Sequence, residues 1–381
     1  MNVTRNMTRL TVFALVLCLA LVACGAGTAP PAASTAAPSA TATGAAGAAP
    51  SATTPATASA GGPATPATPA RAASPGATTK LTIALGYIPD IQFAPFYMAQ
   101  ERGYFRDEGL DVSFNQSVET DVLKLVGTGA LKFGVASGDE VMVARSQGVP
   151  VVYVAAWYQK YPVTIVARAS ANIHTVQDLK GHTVGVPGRF GTTYTGLLAL
   201  LQHAGMSQSD VQIREVGFNQ VQALSQNQVD AVVGYTNNEP IQLKNLGVAI
   251  TTINVFDQVD LVSNGLVTNE QTLRDNPDLV RKVVRAVLRG TDDTIQHPDQ
   301  AVDTTLAKYV PEAKDKRALE TQVLAATIPL WQSPVTAQHG LGYSDPAAWT
   351  TTKDVLAKLN MLGGDVDPSQ VYTNQFVPTG R

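Results

Sequence analysis

The sequence predicts an α/β protein whose folded part divides into two lobes. Three observations carry this. Strand-like apolar runs alternate with helix-like runs from Lys80 onward, the alternation restarts after Val163-Thr-Ile-Val-Ala167, and residues 80–381 are enough chain for two cores.

Residues 81–85 read as the first strand. Residues 94–102 read as a short helix closed by Gly103, where a positive φ is cheap for glycine. Strands at 110–114, 132–136 and 149–155 then alternate with helices at 120–127 and 139–147, the pattern of parallel βα units covered on both faces. After the strand at 163–167 the second series runs helix 176–179, strand 183–186, helix 192–203, strand 211–216, helix 221–226 and strand 231–234. A strand at 265–268 leads into a helical tail at 276–297, 301–309, 313–326 and 347–359, punctuated by Pro298, Pro311, Pro329 and Pro346 and expected to pack around the first lobe.

The N-terminus is of a different kind. Arg5 and Arg9 precede an apolar run from Leu10 to Val22, which has the length of a signal h-region and not of a membrane span. Leu21-Val-Ala-Cys24 resembles a bacterial lipoprotein signal, which implies cleavage before Cys24 and acylation of its thiol. Two or more acyl chains anchor stably where one is marginal. From Gly25 to Thr79 the chain holds only Ala, Thr, Pro, Ser and Gly apart from Arg71. Such a composition buries too little apolar surface to offset its ordering entropy and reads as a tether, with a reach on the order of 40 Å. The expected domains are therefore a signal at 1–23, a lipidated Cys24 and tether at 24–79, lobe one at 80–166 plus 265–381, and lobe two at 167–264. The expected location is the extracytoplasmic face of the cell membrane.

Composition excludes several functions. All 30 acidic residues but only 24 of the 27 basic ones fall in 80–381, a formal charge of −6 that argues against nucleic acid. Both cysteines, Cys18 and Cys24, lie in the signal, which leaves the lobes without a thiolate nucleophile, a disulfide or a cysteine metal site. None of the five histidines, His174, His182, His203, His297 and His339, makes a metal-spaced pair, and no Ser–His–Asp set can be assigned. No cofactor and no metal are expected.

In open α/β sheets ligands bind beyond the carboxyl ends of strands, so the loops there are the candidates. Gly86-Tyr-Ile-Pro-Asp-Ile-Gln-Phe93 offers Tyr87, Asp90, Gln92 and Phe93. Ser137-Gly-Asp-Glu140 offers Ser137 and Asp139, the latter either a ligand group or a helix cap. Trp157-Tyr-Gln-Lys-Tyr161 offers Trp157, Tyr158 and Gln159 as an aromatic platform, with core packing the alternative for Trp157. Pro187-Gly-Arg-Phe-Gly-Thr-Thr-Tyr194 offers Arg189, Phe190, Thr192 and Thr193 at a helix start that would also suit a phosphate or sulfonate, though the Gly-Lys-Ser/Thr ending of a Walker loop is missing. Tyr235-Thr-Asn-Asn-Glu239 offers Tyr235, Asn238 and Glu239, and Asn264 follows. Aromatic faces, amides and hydroxyls with few cations suit a flat, largely neutral heterocycle.

Ala94-Pro-Phe-Tyr-Met-Ala-Gln-Glu-Arg-Gly-Tyr-Phe-Arg-Asp-Glu-Gly-Leu-Asp-Val112 resembles the opening of the thiamine-pyrimidine-synthase/alkylsulfonate-binding group of periplasmic-binding-protein-like folds. Val176-Gln-Asp-Leu-Lys-Gly-His-Thr-Val-Gly-Val186 and Val229-Asp-Ala-Val-Val-Gly-Tyr235 are further hallmarks, shared with many solute-binding proteins. The resemblance implies the type II periplasmic-binding-protein architecture, two lobes joined by two crossing segments, here expected near 165–168 and 263–268. Within that group the chain resembles the riboflavin-binding lipoproteins. This implies riboflavin as ligand, a thiamine pyrimidine precursor or an alkylsulfonate as alternatives, and delivery to an ABC permease and its ATPase. The fold also carries fungal pyrimidine synthases, but their cysteine-rich motif is missing here. A surface receptor that senses ligand without transport would have the same sequence features.

Overall fold

The computed structural model describes residues 78–378. The expected signal, Cys24 and the tether as far as residue 77 lie outside the described residues, and Thr79, read as tether, opens the first strand. The ten strands among the described residues are β1 (Thr79–Leu85), β2 (Leu110–Gln116), β3 (Phe133–Ser137), β4 (Val151–Ala156), β5 (Val163–Arg168), β6 (Thr183–Val186), β7 (Gln212–Glu215), β8 (Ala231–Tyr235), β9 (Ile250–Asn254) and β10 (Asn264–Asn269). They form two five-stranded sheets, ordered β2-β1-β3-β10-β4 and β7-β6-β8-β5-β9. Each sheet has helices packed against it, giving the two-lobed α/β fold. β3 and β4 are buried at every position, as strands covered on both faces must be.

The sheets are not purely parallel. β1 pairs in parallel with β2 and β3, and β6 with β7 and β8, but β10 runs antiparallel between β3 and β4, and β5 antiparallel between β8 and β9. The reason is topological. β5 and β10 each enter a sheet from the gap between the sheets, whereas the parallel strands run out toward it. Because β5 belongs wholly to the second sheet, the chain first passes between sheets at 157–162 and not at 165–168, and the expected boundary at 166/167 falls inside β5. The return lies at 255–263, just ahead of β10. β9, absent from the sequence reading, is a half-buried edge strand whose Ile and Thr residues favour a strand but lack a clear alternation of apolar and polar positions.

One core gathers Ile83, Phe96, Phe133, Leu266, Val284 and Trp331 around the first sheet. A second gathers Val163, Val184, Leu197 and Val233 in the other lobe. The helix Pro277–Gln296 lies against Ala94–Glu101, and Gly290 permits it: a Cβ there would stand 2.1 Å from the Pro95 carbonyl oxygen. The tail is not confined to the first lobe as expected. Val355 of the helix Pro346–Lys358 packs into the second core, and Asn237 Nδ2, just after β8, donates to Thr327 Oγ1 at 2.7 Å. The tail helices thus brace both lobes.

Candidate ligand-binding cleft

Strand ends converge on a cleft between the sheets that encloses about 850 Å³, counting the space at its mouth. β1 delivers the loop 86–93, in which Asp90 caps a short turn by accepting from Gln92 N at 2.9 Å. β6 delivers 187–190 and the helix Gly191–His203, β7 delivers Phe218 and Gln220, β8 delivers 235–238 and the helix Glu239–Asn245, and β10 begins at Asn264.

Among the residues expected from sequence, Tyr87, Asp90, Gln92, Phe93 and Trp157 line the cleft from the first lobe and the crossing segment. Phe190, Thr192, Thr193, Tyr235, Asn238 and Glu239 line it from the second lobe, and Asn264 lines it where the chain returns. Five others stand elsewhere. Ser137 is buried and donates to Asp139, and Asp139 is itself buried and does not line the cavity. Tyr158 is a core residue whose hydroxyl donates to Gln92 Oε1 at 3.3 Å. Gln159 turns to the tail, donating to the Tyr343 carbonyl at 3.0 Å and accepting from Ser333 Oγ at 3.1 Å. Arg189 points outward, 3.4 Å from Glu215, so the one cation expected near the ligand is absent from the wall.

Trp157 changes role. Phe93 stacks on it at 5.4 Å, and Phe96 and Trp331 close around it, so its faces are spent on packing. It contributes a wall and an Nε1–H that has no partner. The rings left open are Phe190 and Phe218, 45 % and 44 % exposed, with Tyr87 edge-on to Phe218 at 5.1 Å across the cleft.

The polar chemistry is acidic. Asp90, Glu119, Glu140 and Glu239 line the cleft, and among the described residues no Lys, Arg or His does. Glu119 accepts from Asn264 Nδ2 and, across the lobes, from Thr192 Oγ1 at 3.0 Å. Glu140 lies beside Glu119, buried, and neither of its carboxyl oxygens meets a donor. Burial raises both carboxyls, Glu140 well above the usual range, where the neighbouring charge of Glu119 adds to the effect. Burial also pushes Asp90 to about 6 against the opposing bond from Gln92 N, and Glu239 to about 7. The helix start at Gly191 was expected to suit an anionic ligand group. It faces the protein's own acids instead: Thr192 bonds Glu119, and Glu140 stands close to Gly191.

Glu119, Glu140, Phe218, Gln220 and Asn237 are the polar and aromatic wall residues the sequence reading did not single out, beside the apolar Val118 and Val135. Glu140 closes the Ser137–Glu140 loop, and a second carboxyl beside Asp139 was the available signal. Glu119 opens the helix just after β2, so it too lies beyond a strand's carboxyl end, in a loop the sequence reading did not search.

The family model described as NMT1/THI5 like matches residues 90–301. The chain is 42% identical over 305 residues to the riboflavin-binding protein RibY of Chloroflexus aurantiacus, covering 79% of this chain and 87% of that protein. It is 24% identical over 306 residues to the 4-amino-5-hydroxymethyl-2-methylpyrimidine phosphate synthase of Legionella pneumophila, covering 79% of this chain and 93% of that one. It superposes with a TM-score of 0.62 on the alkanesulfonate-binding protein SsuA of Xanthomonas axonopodis pv. citri bound to MOPS, covering 79% of this chain and 100% of that one at 16% identity. The chain belongs to the NMT1/THI5-like family and has the two-lobed fold of periplasmic binding proteins.

Proposed function

We propose that this chain is the solute-binding component of an ABC importer, that it captures riboflavin in its cleft, and that it hands the vitamin to a membrane permease driven by an ATPase. Cys24 carries the lipid that holds it on the extracytoplasmic face of the membrane, and 24–77 is the tether. The observation that carries the reading is the pair of half-exposed phenyl rings on the cleft wall, Phe190 and Phe218, the latter meeting Tyr87 edge-on, in a cleft also lined by amides. Apolar rings left in water are costly, and a flat heterocycle inserted between the lobes would cover them. The 42% identity to a riboflavin-binding protein supports the same ligand. Closure over the ligand gives the permease a distinct surface to read, driven by the ligand's preference for the closed state.

An alkylsulfonate is disfavoured, because among the described residues no cation lines the wall. Catalysis is also disfavoured. His182 pairs with Asp230, His297 with Asp293, and His339 stacks on Tyr343, so none of these three serves the cleft. The test is to purify the full chain from its own cells and identify the small molecule that travels with it by mass spectrometry. Riboflavin at about one per chain is expected. A phosphate, a sulfonate or a turned-over product in its place would defeat the reading.

A further inference from the structure

The cleft carries an electrostatic asymmetry that a riboflavin-binding role alone does not require. Four carboxyl side chains enter its wall and, among the described residues, no cationic side chain does. Acidic residues together are by themselves only a solvated patch, but three residues of this lining also carry buried polar atoms without a partner. Glu140 is 8% exposed and both of its oxygens lack a donor. Asn237 is buried, and its Oδ1 has no partner although its Nδ2 is bonded to Thr327. Trp157 Nε1–H is a buried donor with nothing to receive it. All three residues line the cleft. Unmet buried polar atoms are rare in folded proteins and costly to leave so.

Glu119 and Glu140 differ in their surroundings. Glu119 receives two hydrogen bonds, from Asn264 and Thr192, and can keep its charge. Glu140 has only the nearby Ser137 N–H to offset its burial and faces Glu119 within hydrogen-bonding reach. Two carboxylates only accept, so they can bond each other only if one holds a proton. Burial and the charge of Glu119 both favour that proton on Glu140.

We infer that the cleft selects an uncharged heterocycle and excludes its phosphorylated counterpart, and that the Glu119–Glu140 pair, holding one proton, meets the heterocycle's polar edge together with Asn237 and Trp157. This rests on the reading of the cleft as a solute-binding site and narrows the solute. An uncharged ring system with mixed N–H and carbonyl groups can satisfy the protonated carboxyl, the amide oxygen and the indole N–H at once. A phosphate dianion would find only carboxyls and no counter-charge in a partly dehydrated site, so its rejection should be at least about 100-fold.

The test uses the full chain and two ligand pairs: riboflavin with flavin mononucleotide, and 4-amino-5-hydroxymethyl-2-methylpyrimidine with its phosphate. Calorimetry measures each. The uncharged member of a pair should bind at least about 100-fold more tightly than its phosphate. In the variant Glu140→Gln, which keeps the shape and neutrality of a protonated carboxyl, affinity should stay within about threefold, whereas Glu140→Leu should lose at least about tenfold. Circular dichroism checks that each variant folds, and Glu140→Gln against the parent suffices if Glu140→Leu does not. A phosphate that binds as well as its parent, a Glu140→Gln loss as large as that of Glu140→Leu, or failure of all four compounds to bind overturns the inference. Flavin mononucleotide matching riboflavin would sink the selectivity and leave the riboflavin reading standing. Discrimination in the pyrimidine pair without flavin binding would do the reverse.

Discussion

The two lobes present aromatic rings to the same cleft in opposite states. In the first lobe, Phe93 is 2% exposed and Trp157 5%, and each ring is held by other rings of the core. In the second, Phe190 and Phe218 stand on loops after β6 and β7 with nearly half their surface in water. The same residue type therefore does two jobs. One wall is part of the folding core and is built before any ligand arrives. The other leaves apolar surface open, and its burial can be coupled to ligand capture. Stability and affinity should separate along this division.

The largest expected effect is on the built wall. Phe93→Ala should cost about 3–5 kcal/mol of folding stability, because a buried ring is replaced by a cavity between Phe96, Tyr97 and Trp157. Urea unfolding of the ligand-free protein measures it, and a loss below about 1 kcal/mol would mean that the two walls do not differ as described. On the open wall, Phe190→Ala and Phe218→Ala should leave stability within about 0.5 kcal/mol and each weaken riboflavin binding about tenfold. Equal affinity in both variants would remove these rings from the ligand surface.

Next in size is the contact that joins the lobes. Thr192→Val removes the hydroxyl that Glu119 accepts across the cleft, and Tyr235→Phe removes the hydroxyl that donates to Asn264 Oδ1 at 3.2 Å. Each bond contributes about 0.5–1.5 kcal/mol, more where a charge is involved, so Thr192→Val should weaken ligand binding more than Tyr235→Phe. The reverse order would indicate that Glu119 carries no charge in the closed form.

A separate effect, read on stability alone, is that of pH. Burial raises the carboxyls of Asp90, in the first lobe, to about 6, and of Glu239, in the second, to about 7. A carboxyl raised on folding contributes its stability below its ordinary value, and that contribution is lost as pH rises through the folded one. The ligand-free protein should therefore melt a few degrees higher at pH 5.5 than at pH 8. Glu239→Gln should flatten the upper part of that window. A melting temperature that rises from pH 5.5 to pH 8 would contradict the burial of these groups.

Much of this arrangement was legible in the chain. Loops after apolar strands gave Tyr87, Phe93, Phe190 and Tyr235 because a parallel strand's end is a fixed place in an α/β lobe. What local pattern could not supply was which sheet a strand joins. Val163–Arg168 looks like any buried strand, and only its pairing with β8 and β9 puts it in the second lobe. The same limit hid the Glu119–Glu140 meeting, where two helix starts converge from different loops. It also made Trp157 ambiguous, since an indole beside a strand end packs inward or outward according to neighbours such as Phe93 and Trp331 that lie far off in sequence.

The most direct measurement is a titration of riboflavin into the full chain, followed by quenching of flavin fluorescence, with the Phe190→Ala/Phe218→Ala double variant beside it. The account predicts saturable quenching at one flavin per chain, weakened at least about tenfold in the double variant while its urea midpoint stays unchanged. Absence of saturable quenching in the parent chain, or undiminished affinity in the double variant, would contradict it.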